Sequence, residues 1–188
     1  MSLSLFKQSM LSYMQNQPGI ESGDAFAEKI TKEYDNLIKM GFQTLNNVRI
    51  EKGNVQGMES QLKLACSTAQ SKTEGLHTFL DDVGKGIVAY WQGAQLSLTI
   101  PPTIPAPPGI VNLQLVAAII DNPGTAPVVG PLQPNDDSNI MVNQLALMIQ
   151  QHALTITGTY YTVTLFPAVP APTPGPGTLP FSGWTIPQ

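Results

Sequence analysis

Beyond Lys85 the chain has no basic residue, and beyond residue 100 its only charges are Asp121, Asp136 and Asp137. The other basic residues, Lys7, Lys29, Lys32, Lys39, Arg49, Lys52, Lys63 and Lys72, all come earlier. Net charge is -4 over 188 residues, and no basic cluster exists, so neither nucleic acid nor an anionic membrane is expected as a partner. Charged residues make up 12% of the chain, about half the usual share of a soluble domain. Cysteine is nearly absent: Cys66 stands alone, which excludes an intramolecular disulfide, and it is expected as a small buried apolar group. No stretch of 18 or more apolar residues exists, so no membrane-spanning helix is expected. Residues 1–14 lack a basic region followed by an apolar block, because Lys7 and Gln8 interrupt them; the chain is expected to be made in a cytoplasm and not exported by the general route.

Sites with recognisable chemistry are missing too. His77 and His152 are the only histidines, and neither has a second metal ligand at a useful spacing. His77 is expected at the surface or the edge of a helical seam. His152, near a helix C-terminus, is placed to meet the last carbonyls. Gly84-Lys85-Gly86 lacks the rest of a phosphate loop. Asp81-Asp82 and Asp136-Asp137 are neighbours in sequence and so diverge on a helix, which suits surface and capping roles rather than paired acid–base work. There is no G-x-S-x-G elbow. No catalytic residue, cofactor, metal or small-molecule substrate is expected, and the chain is read as a non-enzyme.

What is present divides the chain in two. Of 17 prolines, only Pro18 precedes residue 100. The first half is charged and helical; the second is nearly uncharged and punctuated by proline. The expected class is α+β: an elongated N-terminal helical hairpin or bundle over residues 1–98, a proline-rich linker over 99–110, a small strand–helix–strand region over 111–166, and an extended proline-rich C-terminal arm over 167–188.

Leu3, Phe6, Met10 and Tyr13 predict a short helix to about Gln15, capped by Ser2 or Ser4 and stopped by Pro18-Gly19. Asp24 is expected to cap a second helix to about Val48, with an apolar face wide enough for more than one neighbour. Residues 56–94 carry the strongest pattern. Leu62, Cys66, Ala69, Thr73, Leu76, Leu80, Val83, Ile87, Tyr90 and Ala94 recur at spacings of 4 and 3 without a break. That repeat predicts one long helix, about 58 Å at 1.5 Å per residue, packed antiparallel on the second. Gly75, Gly84, Gly86 and Gly93 cost about 1 kcal/mol each inside a helix, which points to close approach of another backbone, a kink, or a helix end near Gly84.

Residues 101–108 are expected as extended polyproline II. Residues 111–120 favour a strand, with a short buried helix as the alternative, Asn122-Pro123-Gly124 a turn, and Asp136 or Asp137 the cap of a helix to about His152. Residues 155–166 read as a strand in which Tyr161, Val163 and Leu165 share a face, with a bulge hinted at Gly158. The last 22 residues hold seven prolines and no charge. They cannot form a core alone, so Phe181 and Trp184 must fold back on their own subunit or plug a pocket on a neighbour. The residues expected to make interactions are Leu76, Val83, Ile87, Tyr90, Trp91, Phe181 and Trp184.

The helix end Ala89-Tyr90-Trp91-Gln92-Gly93-Ala94 running into 101–108, and the tail Gly175-Pro176-Gly177…Pro180-Phe181-Ser182-Gly183-Trp184, give the chain an organisation that resembles virion structural proteins of tailed bacteriophages. The resemblance implies a non-enzymatic subunit of the virion, assembled in the host cytoplasm, whose partners are copies of itself and other virion subunits. As an alternative, Trp91-Gln92-Gly93 resembles the W-x-G signature of small helical-hairpin substrates of type VII secretion, which implies a helical secreted binding module acting as monomer or dimer. In those the motif sits in the turn between two helices.

The charge asymmetry has a direct test. Trypsin acting on the denatured chain should leave an uncut peptide covering Gly86 to Gln188, read by mass spectrometry.

Overall fold

Ser2 has extended backbone, and its hydroxyl accepts from the Leu5 N–H at 3.3 Å, so α1 (Leu3–Gln15) starts with a capped first turn. The computed structural model describes residues 1–16, 22–41, 48–71, 75–98, 103–104, 112–130, 132, 136–165 and 177–186. Leu3, Phe6 and Met10 of α1 are buried and pack the helix on α2 (Gly23–Gly41) and on α5 (Ser138–Ala153). Ser22, rather than Asp24, caps α2: its hydroxyl accepts from the Ala25 N–H. Leu37 and Ile38 are both fully buried, because α2 touches several neighbours, as its wide apolar face predicts.

The second helix was expected to reach Val48, but β1 (Val48–Lys52) begins there, and α2 is described only to Gly41. Its burial alternates over Val48, Arg49 and Ile50, the period of a half-buried strand. After it come α3 (Val55–Ser71) and α4 (Gly75–Trp91), then β2 (Gln95–Leu98), which pairs antiparallel with β1. The expected single rod over residues 56–94 is therefore two helices. The Asn54 N–H donates to the Tyr90 carbonyl at 2.8 Å, which a continuous helix between them would forbid. Gly86 explains the close packing of α4 on α3: a Cβ built there would lie 3.4 Å from Leu62 and 3.5 Å from the Met58 carbonyl. No helix end falls at Gly84. The end comes after Trp91, with Gly93 at φ +75, a left-handed residue that suits glycine. Trp91-Gln92-Gly93 thus leads from a helix into a strand, not from one helix into another.

The second sheet has the order β3 (Thr103–Ile104), β4 (Asn112–Asn122), β5 (Thr157–Leu165), β6 (Gly177–Ser182), all antiparallel. The polyproline II expectation for 101–108 lies outside the described residues except at Thr103–Ile104, which pair with β4. The 122–124 turn is present: the Asn122 side chain accepts from the Gly124 N–H, and Gly124 has φ +88. Asp137 caps α5, its carboxylate accepting from the Ile140 N–H at 2.9 Å. The register of β4 on β5 shifts at Asp121, opposite Gly158, and again at Val116. Gly158 itself is required by space, since a methyl group there would collide with the Phe181 ring and the Ile119 carbonyl. Tyr160 is the buried tyrosine of β5; Tyr161 is exposed.

The N-terminal helix and residues 177–186 pack into one body, so the described part of the expected C-terminal arm is docked rather than extended; residues 166–176 lie outside the described residues. One core cluster runs from Leu3, Phe6 and Met10 through Leu62, Val83 and Trp91 to Met148, Phe181, Trp184 and Ile186. The described part is a mixed α+β fold of five helices and two antiparallel sheets.

The packing predicts opposite outcomes for two glycines. Gly158→Ala should lower unfolding stability by roughly 1–3 kcal/mol through overpacking. Gly86→Ala adds a methyl at ordinary contact distance in a helix interior, and should change stability by no more than about 1 kcal/mol, in the stabilising direction. Urea titration of the two variants measures both.

Candidate functional site

Consecutive residues of α4 grip consecutive residues of α2. Tyr90 donates its hydroxyl to an Asp35 carboxylate oxygen at 2.7 Å, and the Trp91 indole N–H donates to the Tyr34 hydroxyl at 2.7 Å. The Tyr34 and Tyr90 rings meet edge to face with centroids 5.0 Å apart. The other Asp35 oxygen holds Lys39 at 2.8 Å. Burial raises both tyrosine hydroxyls well above the usual phenol range, and for Tyr90 the Asp35 carboxylate adds to this. Both remain protonated donors or acceptors throughout the accessible pH range.

Trp91 is also where the C-terminal segment arrives. The Trp91 and Trp184 rings lie 5.0 Å apart, Trp184 is edge-on to Phe181, and Phe181 lies on Tyr160 at 4.7 Å. The backbone follows: Gly183 N–H donates to the Ile156 carbonyl at 2.9 Å and Trp184 N–H to the Ala153 carbonyl at 3.0 Å. His152, 6.4 Å from the Trp91 ring, completes the cluster from α5. Its ring is 1% exposed, and neither nitrogen makes a hydrogen bond of normal geometry. Burial pushes its pKa down to about 4, and the nearby Pro123 carbonyl offsets this only in part. The expected role for His152 at the last carbonyls of its helix is therefore not what the ring does; it fills the core against Trp91.

Of the residues expected to make interactions, Val83, Ile87, Tyr90, Trp91, Phe181 and Trp184 are all at most 9% exposed within one chain. Leu76 belongs to α4, but its side chain, like that of His77, lies outside the described residues. Phe181 and Trp184 take the fold-back arrangement here. Cys66 is buried as expected; burial, helped by the Asp24 carboxylate, pushes its thiol up to about 11, so it is protonated at neutral pH.

Two surface features remain. At the base of the α3–α4 pair is a cleft of about 660 Å³ lined by Lys39, Lys52, Asn54 and Gln56 among others. Asn54 already accepts from the Gly57 N–H there, so part of the α3 N-terminus is satisfied. The second is the outer face of the large sheet. Its rows are Ala117–Tyr161–Thr178 and Ile119–Thr159–Pro180, each three strands wide. Ile119, Tyr161 and the bulged Val116 are exposed, and the one charge beside them, Asp121, is bonded to the Thr159 hydroxyl. The sequence hid this face, because its residues look like an ordinary strand core until the pairing shows which side is covered.

Comparison with protein-family models, with curated proteins and with solved structures found no match to this chain. The described residues present a partly apolar sheet face with one carboxylate, Asp121, and a C-terminal segment docked by two aromatic side chains and a strand edge. Among the described residues no three metal-ligand side chains converge.

His152 gives the core a pH dependence of known sign. It is neutral when folded, whereas the unfolded chain takes up a proton near pH 6.5. Its contribution is fully present above pH 6.5 and is lost as pH falls toward about 4, for a total of about 3 kcal/mol. Between pH 7 and 4.5, His152→Leu should lose about 2 kcal/mol less stability than the unaltered chain, read from urea titrations at the two values.

Proposed function

We propose that the chain is a non-enzymatic structural subunit of a large assembly, working beside copies of itself and other subunits. The assembly its organisation resembles is the virion of a tailed bacteriophage. In this reading residues 1–98 are the helical body and 111–166 with β6 presents the contact surface; the proline-rich stretches 105–111 and 166–176 lie outside the described residues.

The observation that supports it best is the outer sheet face. Exposed β-sheet faces of free-standing proteins normally carry charge that keeps them apart from other sheets. Here Ile119, Tyr161 and Val116 are exposed, with Ala117, Thr178 and Pro180 beside them and no lysine, arginine or glutamate on these strands. The one charge on that face is the Asp121 carboxylate, bonded to the Thr159 hydroxyl, so a partner covering it has a single charge to pair or leave solvated. Leu5, Leu64 and Leu147, on α1, α3 and α5, add further exposed apolar surface.

Ile119→Lys places an ammonium at the centre of the face while leaving the core untouched. The unaltered chain should scatter light as a species of several chains at tens of micromolar. The variant should drop toward the single-chain mass of 20.2 kDa with an unchanged circular dichroism spectrum. A single-chain mass for both, with no such protein in particles from its native source, would remove the proposal.

A further inference from the structure

α5 differs from the other helices in what it lacks. α1 to α4 each carry lysine, aspartate or glutamate, whereas the only ionisable side chain of α5 is His152, which is buried. One face of α5 belongs to the core, where Val142, Leu145, Met148 and Ile149 are buried. The opposite face is not the charged surface that a solvated helix normally presents. Ile140 and Leu147 are exposed there, and so is Leu154, whose backbone continues the helical turn at φ -73 and ψ -17. These three stand seven residues apart, so at about 3.6 residues per turn they form one line along the helix.

That line reads the same from either end. Leu147 is its centre. Asn143 and Gln144 precede it by four and three residues, Gln150 and Gln151 follow it by three and four, and Ile140 and Leu154 close the ends. Half a turn about an axis through Leu147, perpendicular to the helix, lays apolar on apolar and amide on amide. A carboxamide both donates and accepts, so a row of amides is complementary to itself. The Gln144 side-chain oxygen is buried without a hydrogen-bond partner in the single chain, and a facing amide supplies one. With no charge in the row, two identical helices meet without like-charge repulsion at the contact, although the chain as a whole carries -4.

We propose that α5 pairs antiparallel with α5 of a second copy across a two-fold axis at Leu147, with Ile140 of each copy against Leu154 of the other. Antiparallel pairing opposes the two helix dipoles and keeps Asp136 and Asp137 of the two copies at opposite ends. A parallel pair would crowd those four carboxylates together. The contact goes beyond the sheet-face reading, since none of its residues lies on the sheet, and it stands on its own residues. A contact one helix wide falls short of the roughly 800 Å² per partner of a standard interface, so the pair is weak in dilute solution.

Disulfide capture reads such a pair. Full-length chains carrying Cys66→Ala, Ile119→Lys to remove the sheet contact, and one cysteine substitution are oxidised at tens of micromolar. Leu147→Cys should give a linked pair of twice the 20.2 kDa chain mass, seen without reductant. Ile140→Cys and Leu154→Cys should each link poorly alone and readily when mixed, as an antiparallel pair requires. Ser67→Cys, at an exposed site on α3, measures chance collision. All four sites are exposed, so the circular dichroism spectrum should not change. A yield for Leu147→Cys no greater than for Ser67→Cys overturns the proposal, whether another subunit or solvent covers the stripe. Ile140→Cys linking to itself as readily as to Leu154→Cys also overturns it, in favour of a parallel pair. Either result leaves the sheet-face test, read from Ile119→Lys alone, as it stands.

Discussion

The Trp91 indole donates its N–H to the Tyr34 hydroxyl at 2.7 Å inside the core, and four parts of the chain converge on that bond. α2 supplies the acceptor and α4 the donor. The C-terminal segment lays Trp184 on the same indole, and α5 brings His152 to it. A buried indole N–H without an acceptor costs roughly 1–3 kcal/mol, so the bond fixes which residue of α2 lies beside the end of α4. Tyr90 and Asp35, each one position along, repeat the pairing in the same register. Burying an aromatic side chain of this size is worth roughly 4–6 kcal/mol by area, so the cluster is a large local contribution to the fold.

Much of this was legible in the residues, though not the partnerships. Caps, turns and single elements followed from local chemistry: Ser2, Asp137, Asn122 and Gly124 act where their side chains or backbone freedom place them. The stripe from Leu62 to Tyr90 was also real, since Leu62, Leu80, Val83, Ile87 and Tyr90 are buried. Its error was one of continuity. A break that preserves the phase of the stripe leaves no trace in the spacing, and two helices packed on each other bury the same pattern as one long one. β1 and β2 were missed because Arg49, Glu51 and Lys52 mask a half-buried strand, and β2 is only four residues long. The site depended even more on pairing. Nothing in the order of residues says that Tyr34 meets Trp91, 57 positions away, or that Tyr160 rather than Tyr161 faces inward.

The two halves of the sequence differ in charge, yet they share one interior. Ion pairs such as Lys29–Glu33 and Lys63–Glu59 decorate the helices of the first half. In the second half, solvent meets threonine, alanine, isoleucine and proline. The division is therefore one of surfaces, and the core is continuous beneath it. Physically, the helical side is kept soluble by its own charges, while the sheet side relies on hydroxyls and small side chains for hydration.

The ribbon formed by β1 and β2 closes the chain on itself at the foot of α3 and α4, with Val48 beside Leu98 and Asn54 bonded to Tyr90. Between those points α3 and α4 stay packed into the common interior, with Met58, Leu62, Leu80 and Val83 buried and Phe79 beside Phe26. The closed foot therefore couples the two helices: a residue inserted into α3 alone would carry Leu62 off Gly86 while the Asn54–Tyr90 bond stayed where it is.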